Sequence, residues 1–184
     1  YDEARGDLNA AVADLISRFP DHPYALAGLK ALEGALKAFE TFSAKIGLPY
    51  KGSLQGNRSL PAALGTTQHP AYVPPGYGVE AGAQPLFVGF RGWRDYYPAL
   101  SGTNHVLIDL PLLDRPWDAP PTEIARGFDH PEVRAQVADQ VRPHLKGATA
   151  AGFPAVLGLS YPVEVIDDLT HRIGVPVFEV ATLP

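Results

Sequence analysis

Residues 85–110 read PLFVGFRGWRDYYPALSGTNHVLIDL. Two short apolar runs stand in it, Pro85–Phe90 and His105–Leu110, both rich in the residues that favour strands. Between them the pattern predicts a glycine turn and a short helix near Trp93–Leu100. The alternation continues downstream. Glu123–Phe128 and Glu132–Leu145 read as helices, the second with Val133, Val137, Val141 and Leu145 on one stripe and Pro143 distorting its last turn. Ala155–Leu159 (AVLGL) reads as a third strand. Pro162–Ile173 is a helix with proline in its first turn and Gly174 at its end. Val175–Ala181 (VPVFEVA) is the fourth strand. Apolar strands alternating with helices predict an α/β fold: about four mainly parallel strands with flanking helices.

Upstream the character differs. Asp7 is placed to cap a helix with Ala11, Val12, Leu15 and Ile16 on one face and Pro20 as its stop. Asp21 is placed to cap a second helix, entered through Pro23, with Leu29, Leu32, Leu36, Phe39 and Ile46 recurring at helical steps and Gly47 and Pro49 ending it. Residues 50–84 are rich in Gly, Pro, Ser and Thr and predict short strands with a long irregular loop, either functional or wrapped around a neighbour. The expected organisation is a helical pair over 1–49, an irregular strand and loop region over 50–84 and an α/β sheet subdomain over 85–184, together one central or cap domain of a longer chain.

Composition narrows the function classes. The chain has 184 residues with no Met and no Cys, and it starts with Tyr, so it is expected to be a piece of a longer protein. Hydrophobic residues make up 46% and charged residues 19%, a globular profile. The 19 prolines imply sharply punctuated loops. Without cysteine there are no disulfides, thiolate metal sites or Cys nucleophiles. A net charge of −5 with no basic run argues against nucleic acid as a partner. No apolar run approaches the ~20 residues of a membrane span, so no direct membrane insertion is expected.

Chemistry-bearing candidates are few. Gly89-Phe90-Arg91-Gly92 joins a strand to a predicted helix, where backbone N–H groups and Arg91 could hold an anion. A tight turn needing two glycines is the preferred reading. Leu64, Gly65, Thr66 and Thr67 place a glycine beside two hydroxyls in a long loop, suited to a ligand oxygen, against the preferred alternative of an ordinary turn. His69, next to the Thr pair, is the one acid–base candidate, a plain loop histidine being preferred. No histidine stands in a metal-ligand spacing, and no metal site is expected. His22 and His130 precede prolines at helix starts and suit capping. Ser160 suits an N-cap. Asp167 and Asp168 read as a solvated helix surface. Trp93, Tyr96 and Tyr97 either line a pocket or interface or, as preferred, pack a helix on the sheet.

Four segments taken in order, DHPYALAGLKALEGALKAF (21–39), SLPAALGTTQHPAYVP (59–74), PLFVGFRGWRDYYPAL (85–100) and VPVFEVATLP (175–184), resemble the B-subunit family of anaerobic glycerol-3-phosphate dehydrogenases. The resemblance covers nearly the whole chain and keeps segment order. It implies a flavin-dependent oxidoreductase of the fumarate-reductase-like fold group, in a three-subunit respiratory complex that oxidises glycerol 3-phosphate to dihydroxyacetone phosphate and passes electrons towards quinone. The part present resembles the central insert that covers the flavin domain. The family's L-G-T element maps onto Leu64, Gly65 and Thr66, its G-x-x-G element onto Gly89 and Gly92. Where family members often carry a basic residue after the Thr, Gln68 stands here, followed by His69.

The resemblance implies FAD or FMN in the parent protein and none bound to this piece, whose partners are the flavin domain of the same chain and the other subunits. It implies a cytoplasmic protein, or one peripheral at the inner membrane through a partner subunit. The alternative is a non-catalytic α/β module that docks another protein of the complex or takes up a small molecule. The full open reading frame separates these. A strand followed by G-x-G-x-x-G ahead of Tyr1 is the expected result, and a start codon closely preceding Tyr1 would remove the flavoprotein reading.

Overall fold

The computed structural model describes residues 7–80, 82–111 and 113–181, in two compact units. The first comprises the chain up to Ser59 together with His69–Pro75. Its helices are α1 (Leu8–Arg18), α2 (Pro23–Ala27) and α3 (Leu29–Lys45), followed by strand β1 (Lys51–Gly52). Asp7 caps α1 as its sequence position suggests, its Oδ1 accepting from the Ala10 N–H at 3.0 Å. The second expected helix is interrupted. His22, not Asp21, caps α2, its Nδ1 accepting from the Tyr24 N–H. Gly28 then takes φ +83°, closes α2 and starts α3. A glycine adopts that left-handed geometry without the steric penalty other residues incur, so one helix becomes two. Among the described residues of this unit only Ser43 and Val73 are buried. Phe19, Leu26, Phe42 and Ile46 are each more than half exposed.

The second unit holds Leu60–Gln68 and everything from Gly76 onward. Strands β2 (Leu60–Pro61) and β3 (Thr67–Gln68) form a small antiparallel hairpin. In the first unit β1 pairs in the same sense with β4 (Tyr72–Val73). The core of the second unit is a four-stranded parallel sheet. Its strands are β5 (Pro85–Phe90), β6 (His105–Ile108), β7 (Ala150–Pro154) and β8 (Val177–Val180), in the order β6-β5-β7-β8. The connecting helices are α4 (Pro98–Ser101), α5 (Pro121–Phe128), α6 (Pro131–Val141) and α7 (Pro162–Ile173). The expected α/β fold is thus present.

Side-chain contacts assign the two faces. A Cβ on Gly89 would lie 2.6 Å from Pro98, which places α4 on that face. Phe90 points the other way, its ring 5.7 Å from Phe128 of α5 and 6.5 Å from Phe153. A parallel sheet needs cover on both faces because its strands are apolar throughout.

Three expected elements move. The short helix expected near Trp93–Leu100 starts late: the residues after β5 form turns and bends, and α4 begins only at Pro98. The third strand is Ala150–Pro154, not Ala155–Leu159. The apolar run AVLGL instead forms a loop, with the Val156 N–H donating to the Pro154 carbonyl and Gly158 at φ +82°. The true strand, AAGFP, is inconspicuous because its central position must be glycine. A Cβ on Gly152 would stand 2.6 Å from the Phe178 ring. Helix α6 ends at Val141 and passes into a 3-10 turn, Arg142–His144, as Pro143 requires.

One ion-pair network ties α6 to α7, and it corrects the expectation of a solvated helix surface at Asp168, while Asp167 is exposed as expected. Arg134 is nearly buried; its Nε donates to Asp168 Oδ2 at 2.5 Å and its Nη1 to the carbonyls of Phe128 and Asp129. Arg172 donates to the same carboxylate from one turn further along α7. Desolvation works to raise the Asp168 pKa, but the hydrogen bonds and charges of Arg172 and Arg134 outweigh it and hold the carboxyl below its ordinary value. Its contribution is therefore present above the ordinary carboxylate range and lost as pH falls through the folded value. Replacing Arg134 by Leu removes the donor to the buried Phe128 carbonyl and the part-buried Asp129 carbonyl and leaves Asp168 without its buried partner, which is expected to cost about 3 kcal/mol. Arg172→Leu, at a more exposed pair, is expected to cost under about 1 kcal/mol. Urea titrations of both variants measure the contrast.

Candidate functional site

The strand order reverses direction between β5 and β7, with β6 on one side and β8 on the other. In open parallel sheets the crevice beyond the carboxyl ends of the strands, at such a reversal, is where ligands are held. Here that edge carries the turn after β5, the loop 155–161 after β7 and the end of β8. The loop is pinned from below. Asp129, at the end of α5, accepts from the backbone N–H groups of Leu159 and Ser160 at 3.0 and 3.2 Å. Ser160 is therefore not the N-cap expected from its sequence position. Tyr161 occupies that place and makes no side-chain capping bond.

The hairpin bearing Leu64–Thr67 docks beside the end of β8. Ala62 bridges Ala181, and the Ala63 N–H donates to the Ala181 carbonyl at 2.8 Å. Leu64, Gly65, Thr66 and Thr67 form the exposed tip. Gly65 has φ +75°, and a Cβ there would lie 2.2 Å from the Leu100 carbonyl oxygen. Backbone, not a flexible side chain, blocks that space, so the position requires glycine on two counts. His69 belongs to the other unit. Its ring Nδ1 stands 3.5 Å from Ser59 Oγ, and its carbonyl accepts from the Asn57 side chain.

The turn Gly89–Gly92 lacks the helix start on which its anion-holding geometry depended. The Trp93 N–H closes back onto the Phe90 carbonyl. Arg91 is engaged, its Nε donating to Asp109 Oδ1 at 3.0 Å and its Nη2 to the Leu107 carbonyl. Trp93 and Tyr96 are buried core, so of the aromatic trio only Tyr97 faces solvent. Desolvation pushes the Tyr96 hydroxyl up to about 12, against a partial offset from Ser101.

One functional candidate has no motif in the sequence to mark it. Glu179 of β8 is nine-tenths buried between apolar neighbours, and its Oε1 accepts from the Leu157 N–H at 3.0 Å. It lines a cleft of about 300 Å³. The other walls are Pro121, Thr122 and Ala125 of α5, residues 155–159, and Pro162 at the start of α7. Burial raises the carboxyl to about 7, partly offset by the Leu157 bond. The sequence signal is a lone acid in the otherwise apolar run VPVFEVA. Among the described residues no group of three His, Asp or Glu side chains is placed to hold a metal ion. No helix among them is long and apolar enough to cross a membrane.

The chain is similar to the B subunits of anaerobic glycerol-3-phosphate dehydrogenases. It is 29% identical to that of Pectobacterium carotovorum subsp. carotovorum over 95% of this chain and 46% of the relative. Against Pectobacterium atrosepticum the identity is 28% with the same coverage. Against Actinobacillus succinogenes it is 26% over 96% of this chain and 46% of the relative. The chain thus spans about half the length of the curated relatives it matches. No family model matches, and no solved structure matches significantly. The matched span bears out the ordered four-segment resemblance, of which residues 182–184 lie outside the described ones.

Glu179 generates a prediction with a definite sign. Its folded pKa, about 7, lies above its ordinary value of 4.5, so between those values the folded state holds a proton that the unfolded state releases. Stability therefore falls as pH rises through that window and is level above it. A tenfold change in proton affinity is worth about 1.4 kcal/mol, which puts the penalty at pH 8 on the order of 3 kcal/mol. Glu179→Gln keeps an acceptor for Leu157 and removes the titration. The variant is expected to match the parent near pH 4.5 and exceed it in urea midpoint at pH 8. Equal midpoints at both pH values would mean the carboxyl titrates normally.

Proposed function

We propose that this chain is the central domain of a flavin-dependent dehydrogenase subunit of the anaerobic glycerol-3-phosphate type. The observation that carries the reading is similarity along 95% of the chain to subunits of that name. The reading assigns to the whole enzyme the oxidation of glycerol 3-phosphate to dihydroxyacetone phosphate, with electrons passing towards quinone. The flavin, FAD or FMN, belongs to other parts of the protein.

The residues present support that division of labour. A flavin pyrophosphate is held where a strand runs through G-x-G-x-x-G or its alanine-ending variant into a helix. The nearest run here, 76–81, reads GYGVEA and is followed by strand β5. The Gly76 carbonyl is already engaged by the Glu179 N–H. In this run the order is glycine turn then strand, not the strand, glycine turn and helix that hold a pyrophosphate. The exposed hairpin tip Leu64–Thr67 is then the element assigned to cover the flavin or a ligand.

A second reading, a docking module within the complex, is favoured by the apolar residues Phe19, Leu26, Phe42 and Ile46 exposed on the helical unit. Such exposed apolar groups suit a partner surface. The partners under either reading are the flavin domain and the other subunits of the complex, and any association with the inner membrane runs through one of those subunits.

Two variants of the intact protein distinguish the roles. Thr66→Ala combined with Thr67→Ala is expected to lower turnover by about tenfold, the worth of one lost hydrogen bond to a charged or developing charge, with assembly unchanged. Phe42→Asp is expected to weaken assembly and leave turnover per assembled complex intact. Full turnover in the threonine variant would remove the hairpin from the active site. The 184-residue chain purified alone is expected to carry no flavin absorbance, and stoichiometric flavin would overturn the proposal.

A further inference from the structure

We propose that the cleft between loop 155–159, the start of α5, Pro162 and strand β8 is a binding site for a small uncharged molecule. Its occupant has a ring-sized apolar body and presents a carbonyl or hydroxyl oxygen to the Glu179 carboxyl group.

The proposal stands on geometry and is independent of the dehydrogenase reading. The cleft is about 300 Å³, at the small end of the range for ligand pockets. Its floor is apolar, with Ala125, Val156 and Leu157 buried in the core of the sheet unit. Its rim is open, with Thr122 and Leu159 exposed. The loop that forms one wall is held in place twice, by Asp129 at Leu159 and Ser160 and by Glu179 at Leu157. Gly158, at φ +82°, lets the loop bend over the cleft. A Cβ there would lie 2.9 Å from Val165, so no larger residue fits. The cleft lies at the carboxyl ends of β7 and β8, the edge where parallel sheets accept ligands.

The lining selects the ligand class. It contains no Lys, Arg or His, so a phosphate or carboxylate would enter without a counter-charge. Glycerol 3-phosphate is excluded on that ground. The walls are chiefly Pro, Ala, Val and Leu, which suit an apolar body. The Leu157 N–H uses one carboxyl oxygen as acceptor, and the other oxygen can carry a proton and donate it to a ligand oxygen. Burial holds that proton on the group up to about neutral pH. A buried acid retained in an otherwise apolar strand has a use if it meets a ligand that would otherwise be held by apolar contacts alone.

The test uses two probes on the full chain, followed by backbone amide NMR. Cyclohexanone is an apolar ring with one acceptor oxygen, and cyclohexylammonium is the same ring bearing a cation. Saturable cyclohexanone shifts centred on Leu157, Gly158 and Glu179 are expected. Glu179→Gln, which keeps a donor, is expected to bind within about threefold of the parent, and Glu179→Leu about tenfold more weakly, the worth of one hydrogen bond. Thr122→Trp, at the exposed rim, is expected to block the cleft and abolish the shifts. If Glu179→Leu does not fold, the rim variant and the shift map of the parent decide. Tighter binding of cyclohexylammonium overturns the ligand class. Ketone shifts that scatter over the surface, or that survive Thr122→Trp, overturn the site.

Discussion

Strand β5 is the constraint on which the sheet unit depends. It is paired on both sides, by β6 and β7, and both its faces are covered. Every residue from Leu86 to Phe90 is buried, so alternation of polar and apolar residues is not an option there. Two consequences follow. The faces must be closed by helices, which the connections to β6 and β7 supply. Close packing across the sheet then demands glycine wherever an aromatic ring or a proline crosses, as at Gly89 under Pro98 and Gly152 under Phe178.

That second consequence explains what sequence could and could not reveal. Strands β5 and β6 were legible because their apolar runs are long and bounded by turns. Strand β8 was legible for the same reason, with its ends one or two residues off. Strand β7 was concealed, because Phe178 fills the space beside Gly152 and leaves its centre without a side chain, and its first two residues are alanines. The eye is drawn instead to AVLGL, whose apolar side chains reach down from a loop into the core. Hydrophobicity reports burial, and here burial and strand geometry part company over five residues. In the helical unit the same limit appears at Gly28, where periodicity continued across a break that backbone geometry imposes.

The candidate sites divide along similar lines. Glycines carry their own signal. Gly65 is required by its left-handed φ and by the Leu100 carbonyl, a demand that a bare L-G-T match only hints at. Charged residues mislead more easily, because their partners are distant in sequence. Arg91 looked free to meet an anion and is held by Asp109; Asp168 looked solvated and is held by Arg134, 34 positions away. Neither pairing has a local pattern. Trp93 and Tyr96 are core, in line with the preferred reading that they pack on the sheet, although no helix holds them there.

Glu179 shows where the strongest remaining signal lies. A carboxyl group in a buried strand is unfavourable unless it is neutralised or bonded, and this one has a single backbone donor described for Oε1. The loop it holds is also held by Asp129, so anchoring the loop does not by itself require a buried acid. A glutamine would offer Leu157 the same acceptor without the desolvation penalty. What either side chain adds to that anchor is a donor beside an open, apolar cleft at the carboxyl edge of the sheet. Glutamate supplies that donor only while protonated, so a bound oxygen would meet a donor that rising pH removes.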